Sequence, residues 1–388
     1  MKQLEIAICG AGPAGLAAAI ALNRAGHEVT IFDQFDTPKP LGSGLILQPT
    51  GLAVLDWLGV GERMQNLGAR IDRLYGKAGT RVVLDVRYEA LGSLRGLAVH
   101  RASLFNVLHD QLKLNGKSVV NNRKINAINE KYVISNEDER HGPFDLIIDA
   151  LGSRSPLISF ASGPDYRRKM PYGAIWASLP WPGLPFDDHA LEQRYSRASI
   201  MSGVLPIGKQ HETGELQTAF FWSLKTADYA AWKTAGLPTW KRQVETLWPE
   251  TAPLLQSITS ADQLTLANYD HHTLLLPYGK NIVFIGDSAH STSPQLGQGA
   301  NMALLDVMAL TDALECHETL EAALPVYAKA RRNHVKLYQA LSLIFTPFYQ
   351  SDSTVLPIVR DYAVASLSRL HPAQKLLAAI VSGSFKKA

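Results

Sequence analysis

The sequence predicts an α/β protein in which a β-rich domain is inserted into a domain of alternating strands and helices. A short apolar strand, a glycine-rich turn and a helix follow one another near residue 5, and the same order recurs near residue 280. Between these motifs the chain is rich in strand-forming residues and is broken by proline and glycine. Its 388 residues allow two or three domains of about 150 residues each.

Composition and charge exclude several classes of protein. Hydrophobic residues make up 46% and charged residues 19%, so the chain can bury a core and is not globally disordered. The net charge is +3, and lysine and arginine occur only in short runs. The sequence therefore lacks the clustered basic residues typical of nucleic-acid-binding proteins. Cys9 and Cys316 are too few for a disulfide framework. Apolar stretches fall short of the roughly 18 residues that span a bilayer, and the N-terminus lacks a secretion signal. We expect a cytoplasmic protein with neither nucleic acid nor a membrane as partner.

The first glycine-rich turn is typical of a dinucleotide site. An apolar strand over residues 4–9 leads into the turn, a helix is predicted over residues 13–25, and a second strand over residues 28–32 ends in Asp33. The glycines let the backbone approach a pyrophosphate, and the helix N-terminus receives its charge. Asp33 is placed to accept hydrogen bonds from ribose hydroxyls. The candidate binding residues are Gly10, Gly12, Pro13, Ala14, Gly15 and Asp33. These residues do not distinguish between FAD and NAD(P) as the cofactor.

The second glycine-rich turn favours FAD. An apolar strand that starts at Asn281 ends in an aspartate, and the loop after it opens a helix predicted over residues 299–314. Such an aspartate can accept a hydrogen bond from a ribityl hydroxyl, and the helix dipole faces the pyrimidine edge, where negative charge collects on a reduced flavin. The candidates in this segment are Gly286, Asp287, Pro294, Gly297, Gly299, Ala300 and Asn301.

With both motifs in place, the chain resembles the FAD-dependent aromatic hydroxylases, the single-component flavoprotein monooxygenases of the para-hydroxybenzoate hydroxylase family. The family's terminal motif is matched by Gly286, Asp287, His290, Pro294, Gly297, Gly299 and Asn301. Residues 41–52, which include Gly44, resemble the segment beside the isoalloxazine ring. Arg101, at the start of an amphipathic helix, resembles the family arginine that contacts FAD. The resemblance covers roughly residues 3–330.

The resemblance implies a Rossmann-like FAD-binding domain of the glutathione reductase type and an FAD-dependent monooxygenase. NAD(P)H would reduce FAD, dioxygen would add at the flavin C4a atom, and the resulting hydroperoxide would hydroxylate a small aromatic or heteroaromatic substrate. Because the flavin carries this chemistry, no catalytic acid or base is assigned. A non-hydroxylating redox carrier or sensor and a flavin halogenase stay open as alternatives. The Trp-x-Trp-x-Ile-Pro pattern of the halogenases is absent from the sequence.

One position departs from the family pattern. The middle motif, Ala-Asp-Gly followed by Ser and Arg, falls on residues 150–154 with Leu151 in place of the aspartate. Asp149 lies two positions earlier. Because the family associates this segment with both FAD and NAD(P)H, we expect slow reduction by NADH and NADPH unless Asp149 or a nearby backbone group compensates. A separate flavin reductase is then an alternative source of electrons.

The predicted strands and helices suggest three parts. Residues 1–70, 97–163 and 273–330 form a discontinuous FAD-binding domain. Residues 71–96 and 164–272 form one sheet that covers the flavin and encloses the substrate. Residues 331–388 form a helical segment, interrupted at Pro347, Pro357 and Pro372, that packs on the rest or pairs two copies in a homodimer.

Several residues also have a purely structural interpretation. Neither Cys nor His recurs at ligand spacing near His290, so no metal site is expected. Ser288 lacks the Gly-x-Ser-x-Gly turn of the serine hydrolases. Aromatic residues in the predicted strands contribute either to the core or to the substrate pocket. They are Tyr172, Trp176, Phe220, Phe221 and Trp222.

Overall fold

The computed structural model describes residues 2–36, 43–364 and 371–384. Residues 41 and 42 of the segment predicted to pass the flavin ring, and the end of the tail after residue 384, lie outside the described residues. None of the helices described in these ranges is long and apolar enough to cross a membrane.

Nineteen strands and nine main helices make up the described fold. The strands are β1 Glu5–Cys9, β2 Glu28–Phe32, β3 Gly44–Leu47, β4 Ala69–Ile71, β5 Arg73–Ala78, β6 Arg81–Arg87, β7 Gly96–His100, β8 Val119–Val120, β9 Ala127–Asn129, β10 Tyr132–Ile134, β11 Arg140–His141, β12 Leu146–Asp149, β13 Asp165–Pro180, β14 Ala190–Ser196, β15 Ile200–Lys209, β16 Leu216–Lys225, β17 Thr265–Leu274, β18 Ile282–Phe284 and β19 His290–Ser291. The helices are α1 Pro13–Arg24, α2 Pro49–Trp57, α3 Gly61–Leu67, α4 Arg101–Leu114, α5 Tyr229–Leu247, α6 Ala252–Gln256, α7 Gly299–Cys316, α8 Leu320–Tyr349 and α9 His371–Ser382. A short helical stretch, Leu356–Ile358, continues into a π-helical turn, Val359–Val364.

A parallel sheet forms the first layer. Its five strands run in the order β18, β12, β1, β2, β8, and every neighbouring pair is parallel. The central strands are nearly continuous apolar runs because α1 and other helices bury them. The carboxyl ends of β1, β2, β12 and β18 therefore meet at one edge, where both glycine-rich turns begin.

A mixed sheet of eight strands forms the second layer, in the order β19, β17, β13, β16, β15, β14, β5, β6. As predicted, the hairpin near residue 80 and the later strand-rich stretch belong to this one sheet. Side chains alternate between its faces. Phe220 and Trp222 pack with Trp240 of α5, whereas Phe221 contacts Trp176 on the opposite face. The domain boundaries themselves stay a prediction.

The helical tail differs from the prediction at Pro347. α8 continues through Pro325 and Pro347 and ends at Tyr349, so Pro347 interrupts nothing. A proline in the last turn removes one backbone hydrogen bond close to a helix end, where the loss is small. Pro357 and Pro372 each lie in the first turn of a helix, the position that proline favours.

Gly15 lets α1 lie directly on the parallel sheet. A Cβ at this position would lie 1.9 Å from the carbonyl oxygen of Gly10 and 3.3 Å from the Cγ2 atom of Ile8. At Gly12, three residues earlier, a Cβ would meet nothing within 4 Å. The two glycines therefore serve different purposes, one in packing and one in leaving space.

We expect Gly15→Ala to lower the free energy of unfolding of the FAD-free protein by about 1–3 kcal/mol, because the added methyl group forces helix and turn apart. Urea denaturation followed by circular dichroism measures the change. Gly12→Ala is the matched control and should leave the stability of the FAD-free protein unchanged. Equal midpoints for the two variants would contradict the close packing of α1.

Candidate active site

A cavity of about 960 Å³ lies between the two larger sheets. Its wall starts at the carboxyl ends of β1, β2, β12 and β18 and continues along the strands of the eight-stranded sheet. In open α/β sheets, ligands bind outside the carboxyl ends of the parallel strands. The cavity reaches beyond that edge, so it can hold a second molecule beside a nucleotide.

All but three of the predicted site residues line this cavity. Those in the wall are Gly10, Gly12, Pro13, Ala14, Asp33, Gly44, Arg101, Asp287, Pro294, Gly297, Gly299 and Ala300. Gly15, Gly286 and Asn301 are absent from the wall and lie behind it. Two segments far apart in the sequence are thus brought to one place.

The first turn leaves a helix N-terminus free for an anion. Gly12 is the N-cap of α1, and no side chain of the described residues caps the helix, so its first N–H groups are available to a ligand. The Asp33 carboxylate accepts hydrogen bonds from the N–H groups of Ala11 at 2.8 Å and Phe35 at 3.0 Å. Each carboxylate oxygen keeps a lone pair for a ligand hydroxyl. Asp33 therefore also holds the turn, which the motif alone does not predict.

The second turn meets the first at Gly286. Gly286 has φ +62°, and a Cβ there would lie 3.2 Å from the Cβ atoms of both Ala14 and Ala303. A larger residue would separate the start of α1 from α7. α7 also begins without a side-chain cap, so a second set of free N–H groups lies near the first.

Asn301 shapes the second turn through its side chain, and its contact with the cofactor stays a prediction. Its Nδ2 donates to the carbonyl oxygens of Ile46 at 3.1 Å and Gly297 at 3.0 Å, and its Oδ1 accepts from the Gln48 N–H at 2.8 Å. Both donors are used and the residue is fully buried. Asn301 ties α7 to the segment between β3 and α2.

Asp287 and Arg101 form the charged part of the wall. The Asp287 side chain is open to the cavity, and no hydrogen-bond partner for its carboxylate lies among the described residues. Burial raises the pKa of Asp287, and the positive charge of Arg101 acts in the opposite direction. The Arg101 N–H donates to the Ser43 carbonyl at 2.8 Å, which places the start of α4 beside β3. Asp287 is therefore free to accept a ligand hydroxyl.

A buried ionic network supports the second turn from behind, and the sequence motifs do not reveal it. The Asp306 carboxylate on α7 accepts from the Gly286 N–H at 2.9 Å, pairs with His290 at 2.7 Å and pairs with Arg331 of α8 at 2.7 Å. Although burial raises the pKa of Asp306, the charges of His290 and Arg331 outweigh it and hold that pKa below the ordinary value. The signal for this network in the sequence was Asp306, an acidic residue among the apolar residues of α7.

Asp149 hydrogen-bonds the loop in which Leu151 replaces the family's aspartate. Its carboxylate accepts hydrogen bonds from the Leu151 N–H at 2.9 Å and from the Ser155 hydroxyl. Ser288, predicted not to be a nucleophile, donates its hydroxyl to the Asp149 carbonyl oxygen. Burial raises the pKa of Asp149 to about 7. The hydrogen bonds act in the opposite direction, but their donors are neutral and offset burial only in part. The loop that follows β12 is thus held in place despite Leu151.

The opposite end of the cavity is apolar and aromatic. Strands of the eight-stranded sheet present Leu74, Val83, Val86, Trp176, Tyr195, Met201, Leu205 and Phe221 to it. Tyr269 of β17 also lines the wall and accepts a hydrogen bond from Trp176 Nε1 at 3.0 Å. Such a surface suits a planar organic ring.

These observations fit FAD. Two uncapped helix N-termini suit the pyrophosphate and the electron-rich edge of a flavin, and the free carboxylate of Asp287 and the lone pairs of Asp33 suit the hydroxyls. The open space beside Gly12 lets a phosphate approach the backbone. Fold and site together define a flavin-dependent protein with a large cavity beside the cofactor site.

Comparison with known proteins gives the family. The family model described as "FAD binding domain" matches residues 3–132 and 211–340. The chain belongs to this family. The predictions of the α/β fold, of FAD as cofactor and of an FAD-dependent enzyme of the aromatic hydroxylase class are confirmed.

Individual relatives are distant. An FAD-dependent urate hydroxylase of Klebsiella pneumoniae is 25% identical over 347 residues, covering 86% of this chain and 87% of that protein. Hispidin-3-hydroxylase of Neonothopanus nambi is 27% identical over 390 residues, covering 88% of each. The tetrameric form of 2-methyl-3-hydroxypyridine-5-carboxylic acid oxygenase superposes with a TM-score of 0.80 at 20% identity, covering 95% of this chain and 99% of that one. That last likeness shows the shared fold.

Asp287→Ala should weaken FAD binding by about one to two orders of magnitude, because a hydrogen bond to a charged group is worth roughly 1.5–3 kcal/mol. Titration of the FAD-free protein with FAD, followed by flavin fluorescence, measures the dissociation constant. Since the Asp287 carboxylate makes no hydrogen bond to the described residues, the melting temperature of the FAD-free variant should not fall. An unchanged dissociation constant would remove Asp287 from the site.

Asp149 should make the stability of the protein depend on pH. Its folded pKa of about 7 lies above the ordinary value of 3.8, so between these values the folded state binds a proton that the unfolded state does not. Stability contributed by Asp149 is therefore lost as pH rises from about 4 to 7, by at most about 1.4 kcal/mol per pH unit. In Asp149→Asn this contribution should be absent, so the stability of the variant should fall less between pH 5 and pH 7. Urea denaturation of both proteins at pH 5, 6, 7 and 8 tests it, and identical slopes would contradict the assignment.

Proposed function

We propose that the protein is an FAD-dependent monooxygenase that hydroxylates an aromatic or heteroaromatic small molecule with dioxygen, and that NAD(P)H is its reductant. The supporting observation is the cavity that joins two uncapped helix N-termini to an apolar end beneath the second sheet. An electron carrier or sensor has no use for such a chamber. Two relatives are named for the hydroxylation of urate and of hispidin.

In this proposal each of the two glycine-rich turns binds a different part of the FAD molecule. Gly10, Gly12, Pro13 and Ala14, at the start of α1, bind the pyrophosphate. Asp33 accepts the adenosine ribose hydroxyls, and Asp287 accepts a ribityl hydroxyl. The remaining contacts come from the second turn and its neighbours. They are Gly44, Arg101, Pro294, Gly297, Gly299 and Ala300.

The reduced flavin, when bound, supplies the activation of dioxygen, and the protein provides its surroundings. The free N–H groups of α7 place positive potential at the wall, where negative charge on the cofactor is stabilised. Leu205 and Phe221 exclude water from the chamber. Tyr269 receives a hydrogen bond from Trp176, so its own O–H is free to donate to a substrate oxygen. Burial raises the pKa of Tyr269 to about 12, so that proton is retained at neutral pH.

The reason for expecting slow reduction by NAD(P)H is weaker than the sequence suggested. Leu151 lacks a carboxylate, but Asp149 already fixes the loop from Ala150 to Ser155, and Arg154 of that loop lines the cavity. We therefore favour direct reduction by NAD(P)H over a separate flavin reductase. Pairing of two copies into a homodimer stays a prediction.

The proposal makes a joint prediction for cofactor and oxygen. The purified protein should be yellow and should release FAD on denaturation. With an aromatic compound that stimulates NAD(P)H oxidation, mass spectrometry should find one atom of labelled dioxygen in the product. Without such a compound, oxidation should yield hydrogen peroxide because an unfilled chamber admits water. Release of FMN, or label that arrives from water, would overturn the proposal.

A further inference from the structure

The end of the chain supplies one wall of the substrate chamber. α8 contributes Phe345 and Tyr349, and α9 contributes Leu377, Ile380 and Val381. All five lie beyond residue 340, where the match to the FAD binding domain family ends. The expected packing segment therefore also shapes the chamber.

The last turn of α8 is fixed to the eight-stranded sheet. Just after it, Asp352 accepts a hydrogen bond from the Tyr172 hydroxyl at 2.7 Å and pairs with Lys225 at 2.8 Å. Tyr172 and Lys225 belong to neighbouring strands, β13 and β16. These bonds give Tyr349 a defined place beside the sheet.

A buried arginine lies behind Tyr349. The Arg360 guanidinium lies 5.5 Å from the centre of the Tyr349 ring and 4.9 Å from that of Tyr195, and it pairs with Asp361 at 2.7 Å. The two tyrosine rings are themselves 5.2 Å apart. A cation over aromatic faces stabilises their arrangement. The tyrosine pair is therefore a rigid part of the wall.

This pair leaves two uncharged hydrogen-bond donors for a ligand. Tyr195 donates its O–H to Gln193 Oε1 at 2.9 Å. Gln193 lines the cavity, and the two N–H groups of the same amide have no partner in the described part of the chain. The Tyr349 hydroxyl likewise has no hydrogen-bond partner among the described residues, although Tyr349 lines the cavity. Burial raises the pKa of Tyr349, so its proton is retained at neutral pH.

The cationic side chains that line the cavity lie toward its nucleotide half, although the charge of Arg101 also acts on Tyr269 and the Arg360 guanidinium lies behind the tyrosine pair. The cationic residues in the described wall are Arg101, Arg123, Lys124 and Arg154. They lie beside Asp287, Asp33 and the loop after β12, which is the nucleotide half. At the substrate end the charged residue is Asp85, whose carboxylate Arg73 binds at 2.7 and 2.8 Å. The Arg360 guanidinium is paired with Asp361 and the Arg73 guanidinium with Asp85, so a carboxylate ligand at this end would be buried without an unpaired cation among the described residues, at high cost.

We propose that Tyr349 and Gln193 determine specificity for a neutral aromatic substrate, and that they bind its carbonyl, hydroxyl or ring-nitrogen acceptor. Substrates that carry a carboxylate are rejected. This inference rests on the proposed function, because it concerns the substrate of the same site. It places a specificity residue on the tail rather than on the domains that define the family.

Ligand binding to the FAD-loaded protein tests the proposal without turnover. The probes are three matched pairs: phenol and 4-hydroxybenzoate, 2-naphthol and 6-hydroxy-2-naphthoate, and 4-hydroxyquinoline and its 2-carboxylate. Changes in flavin absorbance during titration give the dissociation constants. At least one neutral probe should bind at least tenfold more tightly than its acid. Tyr349→Phe should weaken that neutral probe by about threefold to tenfold, the loss of one uncharged hydrogen bond.

Tyr166→Phe is the matched control, because Tyr166 is exposed on β13 and does not line the cavity. It should bind the probes like the unmodified protein. Acids that bind as tightly as their neutral partners, no binding by any probe, or an unchanged affinity in Tyr349→Phe would each overturn the inference. Failure of the proposed function looks different: probe binding would persist while labelled dioxygen fails to enter any product.

Discussion

The cavity depends on the close approach of two helix N-termini at one edge of the parallel sheet. α1 and α7 both point their positive dipole ends at this edge, and Gly286 lets them come into contact. Two like ends repel each other, so the arrangement needs negative charge between them. Asp33 and Asp287 supply part of it, and the pyrophosphate of bound FAD would supply more. The same electrostatic constraint thus explains the positions of the acids and the affinity for a diphosphate.

Three carboxyl groups near this edge differ in pKa because their surroundings differ. Asp306 faces Arg331 and His290, so its pKa is lowered and it stays ionised. Asp149 faces only neutral donors, so burial raises its pKa to about 7. Asp287 lies between these cases, with burial opposed by the nearby charge of Arg101. One acid is structural, one holds a loop, and the third is left free for a ligand.

Local patterns in the sequence predicted the parts of the fold that local physics determines. β1, β2 and the start of α7 follow from apolar runs that end in glycine-rich turns, and β2 was placed to the residue. Helix continuity through Pro347 was missed because tertiary packing outweighs the lost hydrogen bond. The network around Asp306 was missed because its members come from residues 286, 290, 306 and 331, and such pairings leave no periodic signal. The lining role of the tail was missed because residues facing a chamber have the same apolar character as residues facing a core.

Because the tail lines the chamber, residues that shape the substrate site and residues predicted to bind the cofactor lie in different parts of the chain. The residues predicted to bind the cofactor lie between Gly10 and Asn301, whereas Phe345, Tyr349 and Leu377 line the chamber from further along the chain. Substitutions at Phe345 and Tyr349 alter the volume and polarity of the chamber without replacing a residue of either glycine-rich turn. A lineage with this layout can change the compound it accepts through mutations near its C-terminus while its electron chemistry is passed on unaltered.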